Sequence, residues 1–214
     1  MTNDQGRAEV AARLRALGHD FVARSLSDEQ LDALLAPLDQ LTDIVGSADA
    51  RVRTFPRVDL ANFKMAVPRE DSVEHHQLFT DSFVSGLTNP LGLGASLRRE
   101  GDVAVMDVTL GRAFEGAPGR AHGGVVAALI DETMGLVLAI HGVLAFTGQL
   151  DITYLAPTPI GEALCARAWL SRHAHRKLFV EASVRANEVD VAKANALFIA
   201  VDPTKFLKHL APEP

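Results

Sequence analysis

The pattern of apolar and polar positions predicts helices in the first part of the chain. Ala8–Leu17 has apolar residues at helical spacing, and a second run of the same kind covers Leu31–Val45. Ser27 followed three residues later by Gln30 fits the capping box found at helix starts. We therefore expect two helices, the second either kinked or divided at Pro37. From residue 51 to residue 90 the pattern is irregular, which predicts mostly loop with short elements.

The second part of the chain predicts a sheet and one long helix. Two alternating segments flank Glu100-Gly101-Asp102, as in a β-hairpin, and a long apolar segment ends at His141-Gly142, with the glycine as its C-cap. The hairpin strands are Ala95–Arg99 and Val103–Leu110, the helix is Val125–Ile140, and four further strands are Ala145–Leu155, Ala163–Arg172, Lys177–Ala186 and Val191–Val201.

This order of elements predicts an α+β fold in which an antiparallel sheet of five or six strands packs on one helix. The helix is apolar almost all round, so more than one of its sides should be buried. One side faces the sheet. The other needs a second subunit or the N-terminal helices, and we therefore expect association.

Composition narrows the functional classes. The chain has 214 residues, of which 48% are apolar and 22% charged, as in a globular protein with one domain and an appendage or with two small domains. Its net charge of −6 argues against a general nucleic-acid binder but leaves room for a local basic patch. The single cysteine, Cys165, excludes an intrachain disulfide and favours a reducing compartment.

No membrane span or secretory signal is expected. The longest apolar candidate, Val125–Ile140, is interrupted by Asp131, Glu132 and Gly135. The N-terminal residues lack a basic region followed by an apolar one. The expected location is the cytoplasm.

A glycine pair, Gly123-Gly124, stands where the long helix begins. The first amides of a helix lack internal partners and lie at the positive end of its dipole, which suits an anion or oxyanion. The alternative is that the glycines only let a loop turn into a helix.

Asp131 is anomalous because it lies within the apolar helix, where an unpaired carboxylate would cost several kcal/mol. It is either functional, or solvated at an edge, or satisfied by backbone amides. The adjacent Glu132 is expected to be the exposed member of the two acids.

The spacing of His122 and Asp131 constrains any site that uses both. Nine residues of helix separate them by about 13 Å along the axis, and the two positions project to nearly opposite faces. Two antiparallel copies of the helix would bring Gly123 of one chain near Asp131 of the other. If both features are functional, the site lies between subunits.

The strand after the helix has a polar face. Strict alternation from Ala145 to Leu155 places Thr147, Gln149, Asp151 and Thr153 on one side of the sheet, away from Phe146, Leu150, Ile152 and Tyr154.

Two motifs together resemble a known family. The first is His-Gly-Gly followed nine residues after the histidine by an acid, and the second is the strand Phe-Thr-Gly-Gln-Leu-Asp-Ile-Thr-Tyr-Leu-Ala-Pro-Thr-Pro. Both are similar to the hotdog-fold acyl-CoA thioesterases of the phenylacetyl-CoA and 4-hydroxybenzoyl-CoA thioesterase type. Phe-Glu-Gly-x-Pro-Gly before the histidine resembles the mammalian branch most. The resemblance covers Ala95–Asp202 and implies a hotdog domain over 91–206, an N-terminal helical extension over 1–90 and a tail over 207–214.

The resemblance also implies roles for individual residues. Gly123, in the His122–Gly124 turn, would polarise the thioester carbonyl through its backbone amide, and Gly124 would help to bind the substrate. Asp131 of the partner subunit would act as general base or nucleophile, and Thr147 would help to position the attacking water. Where some relatives carry Asn or Gln six residues before the histidine, this chain has Gly116, so that contribution is missing here.

The implied substrate is an acyl-CoA, with CoA as part of the substrate and no separate cofactor. A basic cluster between two strands comprises Arg172, His173, His175, Arg176 and Lys177. It is either an ordinary solvated turn or, as a hypothesis, the place where Arg176 or Lys177 contacts the nucleotide phosphates. The partner is expected to be a second copy of the chain, as a homodimer or a dimer of dimers.

No metal site is expected, because His75-His76 lacks a second pair of ligands, and Cys165 is expected to be a small buried hydrophobe. A hotdog dehydratase or hydratase is disfavoured by the absence of an Asp/His pair and of a His-Phe-Pro-Gly segment. Two alternatives stay open at this point. One is a non-catalytic acyl-CoA-binding or regulatory hotdog protein, and the other is a partner-docking role for the N-terminal helices.

Overall fold

The computed structural model describes residues 3–51, 72–73 and 79–203. Within them lie three α-helices: α1 (Asn3–Ala23), α2 (Asp28–Gly46) and α3 (Gly123–Ile140). A short 3-10 helix, Arg112–Phe114, precedes α3. The strands are β1 (Ser96–Glu100), β2 (Val103–Thr109), β3 (Ala145–Tyr154), β4 (Ala163–Ala174), β5 (Lys177–Ala186) and β6 (Val189–Ala200). All the elements predicted after residue 90 are present. The predicted loop over 51–90 lies mostly outside the described residues.

The six strands form one antiparallel sheet in the order β1-β2-β4-β5-β6-β3. The hairpin of β1 and β2 is confirmed, with Glu100 opposite Val103. After α3 the chain crosses to the far edge of the sheet, where β3 pairs with β6. The long crossing through α3 therefore separates β2 from β3, which are consecutive in sequence but lie at positions two and six of the sheet.

The core lies between α3 and one face of this sheet. Half of the residues of α3 are buried there, namely Val126, Leu129, Ile130, Thr133, Met134, Leu136, Val137, Leu138 and Ala139. Alternate residues of β4, β5 and β6 are buried on the same face of the sheet, as a half-covered sheet requires. Each fully buried aliphatic side chain of this core contributes about 1.5–3 kcal/mol. The predicted α+β architecture, with an antiparallel sheet wrapped on one long helix, is confirmed, and it is the hotdog fold.

α3 is also long and apolar enough to cross a membrane by length and composition, although no such segment was expected from the sequence. Core helices of globular domains meet the same criterion. Here Leu129, Ile130 and Met134 are fully buried in the core, and α3 packs on β2, β3, β4 and β5. Packing on the sheet therefore accounts for the apolar character of the buried half of this helix.

α1 docks on the loop that leads into α3. Ala11 is its one buried residue, and Arg15 Nη1 donates to the carbonyl oxygens of Leu87 and Asn89 at 3.1 and 2.6 Å. His19 Nδ1 accepts a hydrogen bond of 3.1 Å from the Ala113 amide. The N-terminal extension is thus tied to the hotdog sheet by polar contacts with two loops.

α2 begins with the predicted capping box. Ser27 Oγ accepts from the Gln30 amide at 3.2 Å, and the Gln30 side chain accepts from the Ser27 amide at 2.9 Å. Pro37 lies inside the helix, which continues as one element, so the predicted division does not occur. None of the residues of α2 is buried.

Glu132 is not the exposed acid that the sequence suggested. Its carboxylate accepts hydrogen bonds from Ser82 Oγ at 2.5 Å, from the Ser85 amide at 3.1 Å, and from Ser85 Oγ. Ser85 is completely buried. Glu132 therefore fastens the segment before β1 to the middle of α3, a role that requires a long-range contact and so leaves no periodic signal in the sequence.

We expect the docking of α1 to weaken in acid. Burial lowers the pKa of His19 below its usual 6.5; Arg15 lowers it further, and Asp20 opposes the shift. Because the unfolded chain then binds the proton more readily, stability is full above about pH 6.5 and falls as the pH drops from there towards the lowered folded value. Urea unfolding at pH 7.5 and 5.5 should show a larger loss for the wild type than for His19→Gln, which keeps an acceptor. Equal losses would exclude His19 as the cause.

Glu132→Ala should lower the free energy of unfolding by about 2–4 kcal/mol, because it leaves the buried Ser85 hydroxyl and amide without their acceptor. Glu132→Gln keeps one acceptor oxygen and should lose less. Glu9→Ala breaks an exposed ion pair with Arg13 and should change stability by less than about 0.5 kcal/mol. Urea denaturation measures all three. A loss for Glu132→Ala no larger than that of Glu9→Ala would contradict the anchoring role.

Candidate active site

In the part of the chain that the structure describes, one amide of the first turn of α3 lacks a hydrogen-bond acceptor. His122 is the N-cap, and its own amide donates to the Phe114 carbonyl at 2.8 Å. The Gly124 amide donates to His122 Nδ1 at 3.0 Å. Among the described residues, the Gly123 amide has no acceptor. It is therefore available to an oxygen atom of a ligand at the positive end of the helix dipole.

Because of this capping bond, Gly123 and Gly124 have different amides to offer: within the described chain one is free and the other is bound. The sequence assigned Gly124 to substrate binding, but its amide is already occupied by the His122 ring. Only the absence of a side chain at Gly124 is left to serve a ligand. His122 acts here as the N-cap, with Nδ1 as the acceptor.

The loop before His122 is held by Glu115. Its carboxylate accepts from the Gly119 amide and pairs with Arg112 at 3.2 Å, and these two contacts, the amide first, lower its pKa. A side chain at Gly116 would place its Cβ 2.9 Å from the Cα of His122. The loop in its present form therefore has no room for the Asn or Gln that some relatives carry at this position.

Tyr154 is a functional candidate that the sequence did not single out. It closes β3, and its hydroxyl donates to the Gly123 carbonyl at 2.8 Å. The ring walls a cleft of about 370 Å³ beside Gly123, with Val126 and Leu155 among the other lining residues. Gly123, Tyr154 and this cleft form what we call the glycine half-site. A signal was available in that Tyr154 is the only tyrosine of the chain.

Asp131 and Thr147 form the second cluster, the aspartate half-site. Thr147 Oγ1 donates to Asp131 Oδ1 at 2.8 Å. Asp131 is half-buried and Thr147 is exposed, so the carboxylate is held by a neighbour while it stays open to solvent. The sequence left open whether backbone amides satisfy Asp131. In the structure the hydrogen bond to this carboxylate comes from the Thr147 side chain.

The contact between them corrects the predicted faces of β3. A bulge at Gly148 interrupts the alternation, so Thr147 lies opposite the buried Phe198, whereas Gln149 lies opposite Leu197. Directly paired residues share a face of the sheet. Thr147 is therefore on the face that carries α3, and Gln149, Asp151 and Thr153 are on the other.

Within one chain the two half-sites do not meet. Gly123 and Asp131 are eight residues apart on one helix, which is about 12 Å along its axis. A single water molecule or carboxylate acting on a carbonyl bound at Gly123 must approach within about 3.5 Å. One chain therefore supplies the two halves of a site at different positions along α3.

Arg176 and Lys177 lie far from the glycine half-site of their own chain. Arg176 Nε donates to the Ala200 carbonyl at 3.0 Å at one end of β6. Tyr154, which belongs to the glycine half-site, pairs with Ala192. Ala192 lies eight residues before Ala200 on β6, which is about 26 Å along the strand. Arg176 and Lys177 are both exposed, at the end of the sheet nearer Thr147. Their contact with nucleotide phosphates stays a prediction.

Cys165 belongs to neither half-site. Cys165 is half-buried in β4, and burial first, then its hydrogen bond with Asp107, raises the pKa of its thiol. In the part of the chain that the structure describes, no group of three His, Cys, Asp or Glu side chains is placed to hold a metal ion. His75 and His76 lie outside that part.

Comparison with known proteins finds a similar family. Residues 118–193, which include both half-sites, match the family model of the Thioesterase superfamily. This segment is similar to the thioesterase superfamily. The match begins just before His122 and ends within β6, so it covers α3, β3, β4, β5 and the first part of β6.

Curated relatives are acyl-CoA thioesterases. The chain is 32% identical over 139 residues to acyl-coenzyme A thioesterase THEM4 of Mus musculus, a match covering 64% of this chain and 59% of the mouse protein. It is 33% identical over 88 residues to acyl-coenzyme A thioesterase THEM5 of the same organism, covering 40% and 36% of the two chains. The chain thus spans less than two thirds of the length of these relatives.

A crystal structure of a thioesterase superfamily protein has the same fold over most of the chain. The two share 22% sequence identity and a TM-score of 0.75, and the similarity covers 90% of each chain. At this identity the likeness concerns the fold alone. Because the structural similarity covers 90% of the chain, it extends well beyond residues 118–193.

We expect Cys165 to react slowly, because a thiol with a raised pKa holds little thiolate at neutral pH. Iodoacetamide at pH 7.5 should alkylate the native protein at least about tenfold more slowly than the urea-unfolded chain, followed by mass spectrometry. The native rate should rise as the pH is increased above 9. A native rate equal to the unfolded one would show that this thiol is neither shielded nor shifted.

Proposed function

We propose that this protein hydrolyses an acyl-CoA thioester to a free acid and CoA. The observation that carries the proposal is the pairing on one helix of an unoccupied Gly123 amide with Asp131, an acid held by Thr147. The names of the curated relatives support the same reaction. An oxyanion donor and a positioned carboxylate are the two groups that thioester hydrolysis needs most.

In the proposed mechanism the thioester carbonyl oxygen accepts the Gly123 N–H. As the carbonyl carbon is attacked, negative charge develops on this oxygen, and the amide and helix dipole stabilise it. The tetrahedral intermediate then collapses, the C–S bond breaks, and CoA leaves as a thiolate that takes up a proton. One such donor is typically worth a factor of about 10²–10³ in rate.

Asp131 has two possible roles in the attack. As a general base it removes a proton from a water molecule, which adds to the carbonyl carbon. As a nucleophile its carboxylate oxygen adds directly, giving an anhydride that water then hydrolyses. Thr147 serves either route, because its hydroxyl fixes one carboxylate oxygen and leaves the other for the reaction.

The proposed site lies between two copies of the chain. The separation of about 12 Å along α3 keeps Gly123 and Asp131 of one chain apart, whereas an antiparallel α3 from a second copy would bring each half-site to its complement. β3 also supports this association: it is a ten-residue edge strand with β6 as its one strand neighbour in the described chain. Exposed edges of this length pair readily with another strand. We therefore propose a homodimer or a dimer of dimers.

The substrate would occupy this interface without a separate cofactor. The cleft beside Gly123, walled by Val126, Tyr154 and Leu155, would take the part of the substrate next to the thioester. Arg176 or Lys177, at the Thr147 end of the sheet, would then approach the nucleotide of a substrate bound at the partner's glycine half-site. Location in the cytoplasm stays a prediction, for which the single cysteine is the support.

The test is hydrolysis of a panel of short, long and aromatic acyl-CoAs, with thiol release followed directly. Asp131→Asn should lose at least about 100-fold in kcat, because an amide neither accepts the proton nor attacks the carbonyl. Asp151→Asn is a matched control, since it makes the same change on the opposite face of the sheet. It should keep kcat within about twofold.

Two outcomes would change the conclusion. If the wild type binds acyl-CoAs by calorimetry but hydrolyses none of them, the protein is an acyl-CoA-binding or regulatory hotdog protein. If Asp131→Asn and Asp151→Asn have equal activity while both stay folded, hydrolysis does not use Asp131.

A further inference from the structure

We infer that Tyr154 is a positioning residue that fixes the Gly123–Gly124 peptide and thereby aims the Gly123 amide at the substrate. The inference rests on the proposed function for its kinetic consequence, but its structural part stands alone. Nothing in the family match or in the relatives' names assigns this residue a role.

Two side chains hold this peptide unit from opposite ends. Tyr154 Oη donates to its carbonyl oxygen, on Gly123, at 2.8 Å. His122 Nδ1 accepts from its amide, on Gly124, at 3.0 Å. With both polar atoms bound, rotation of the peptide would break at least one hydrogen bond. The neighbouring Gly123 amide is left as the unoccupied donor of the turn.

The glycine pair makes this support necessary. Glycine has the largest backbone freedom of any residue, and each glycine within a helix is less favourable than alanine by about 1 kcal/mol. A helix that starts Gly-Gly is therefore prone to fray at its first turn. An oxyanion donor is effective only when its orientation is set before the reaction, so that no reorganisation is needed as charge develops.

The register of β3 on β6 places Tyr154 beside the Gly123–Gly124 peptide. It lies opposite Ala192, which is completely buried, so its side chain is on the face that carries α3. A Cβ on Gly123 would lie 3.3 Å from Tyr154 Oη, closer than an ordinary contact. The missing side chain at Gly123 thus admits both the substrate oxygen and the tyrosine hydroxyl. Half of the tyrosine surface stays exposed, towards the cleft.

The experiment compares Tyr154→Phe, which removes only the hydroxyl, with Thr153→Val, which changes the adjacent residue on the outer face. Tyr154→Phe should lower kcat by about tenfold with KM within about twofold, the effect of losing one neutral hydrogen bond that orients the donor. Hydrogen exchange of the amides over residues 123–126 should be at least about fivefold faster. Thr153→Val should match the wild type in both measurements.

A conservative replacement separates positioning from bulk. Because the chain has a single tyrosine, growth on 3-fluorotyrosine modifies residue 154 alone. This analogue keeps the donor and should keep kcat within about twofold, whereas Tyr154→Phe does not.

Failure of the inference is distinguishable from failure of the proposed function. If the wild type hydrolyses acyl-CoAs and Tyr154→Phe keeps its full kcat, Tyr154 does not position the donor. If the wild type hydrolyses no acyl-CoA, the proposed function fails. Hydrogen exchange is then the remaining test of the contact between Tyr154 and the Gly123–Gly124 peptide. Unchanged exchange over residues 123–126 in Tyr154→Phe overturns the inference in either case.

Discussion

The packing of α3 on the sheet is the interaction on which the rest of the structure depends. Its apolar side chains, with Leu129, Ile130 and Met134 fully buried, fill the core against β2, β3, β4 and β5. The first turn and the half-buried Asp131 interrupt this apolar surface. Because burial fixes the rotation and height of the helix, it also fixes where the Gly123 amide and the Asp131 carboxylate lie. The core is therefore the scaffold that orients both half-sites.

β3 returns alongside α3 and supplies the polar partner of each half-site. Thr147, near its start, holds Asp131, and Tyr154, at its end, holds the Gly123 carbonyl. An antiparallel return after a helix places the two ends of one strand beside the middle and the start of that helix. A single strand therefore positions two chemically different sites, and its bulge at Gly148 sets the face on which Thr147 lies.

The N-terminal extension is linked to the same region. His19 accepts from the Ala113 amide and packs edge-on against Phe114, whose carbonyl in turn accepts from the His122 amide. A short chain of contacts thus joins α1 to the cap of α3. A change in the docking of α1 would therefore act first on the conformation of the loop that precedes Gly123-Gly124.

Much of this protein followed from local rules in the sequence. Periodicity predicted the hairpin, α3 and the four later strands, because the buried face of each element repeats at its own period. The Ser27–Gln30 capping box depends on residues three apart, and Gly123 and Asp131 stand out against their immediate neighbours. The tertiary structure decided the rest. In the folded chain the Gly124 amide is bound by His122, and a bulge turns Thr147 towards α3. Ser82 and Ser85 donate to Glu132, and Tyr154 reaches Gly123. These contacts join residues up to 50 positions apart, or depend on a strand register and a ring orientation that no local pattern encodes.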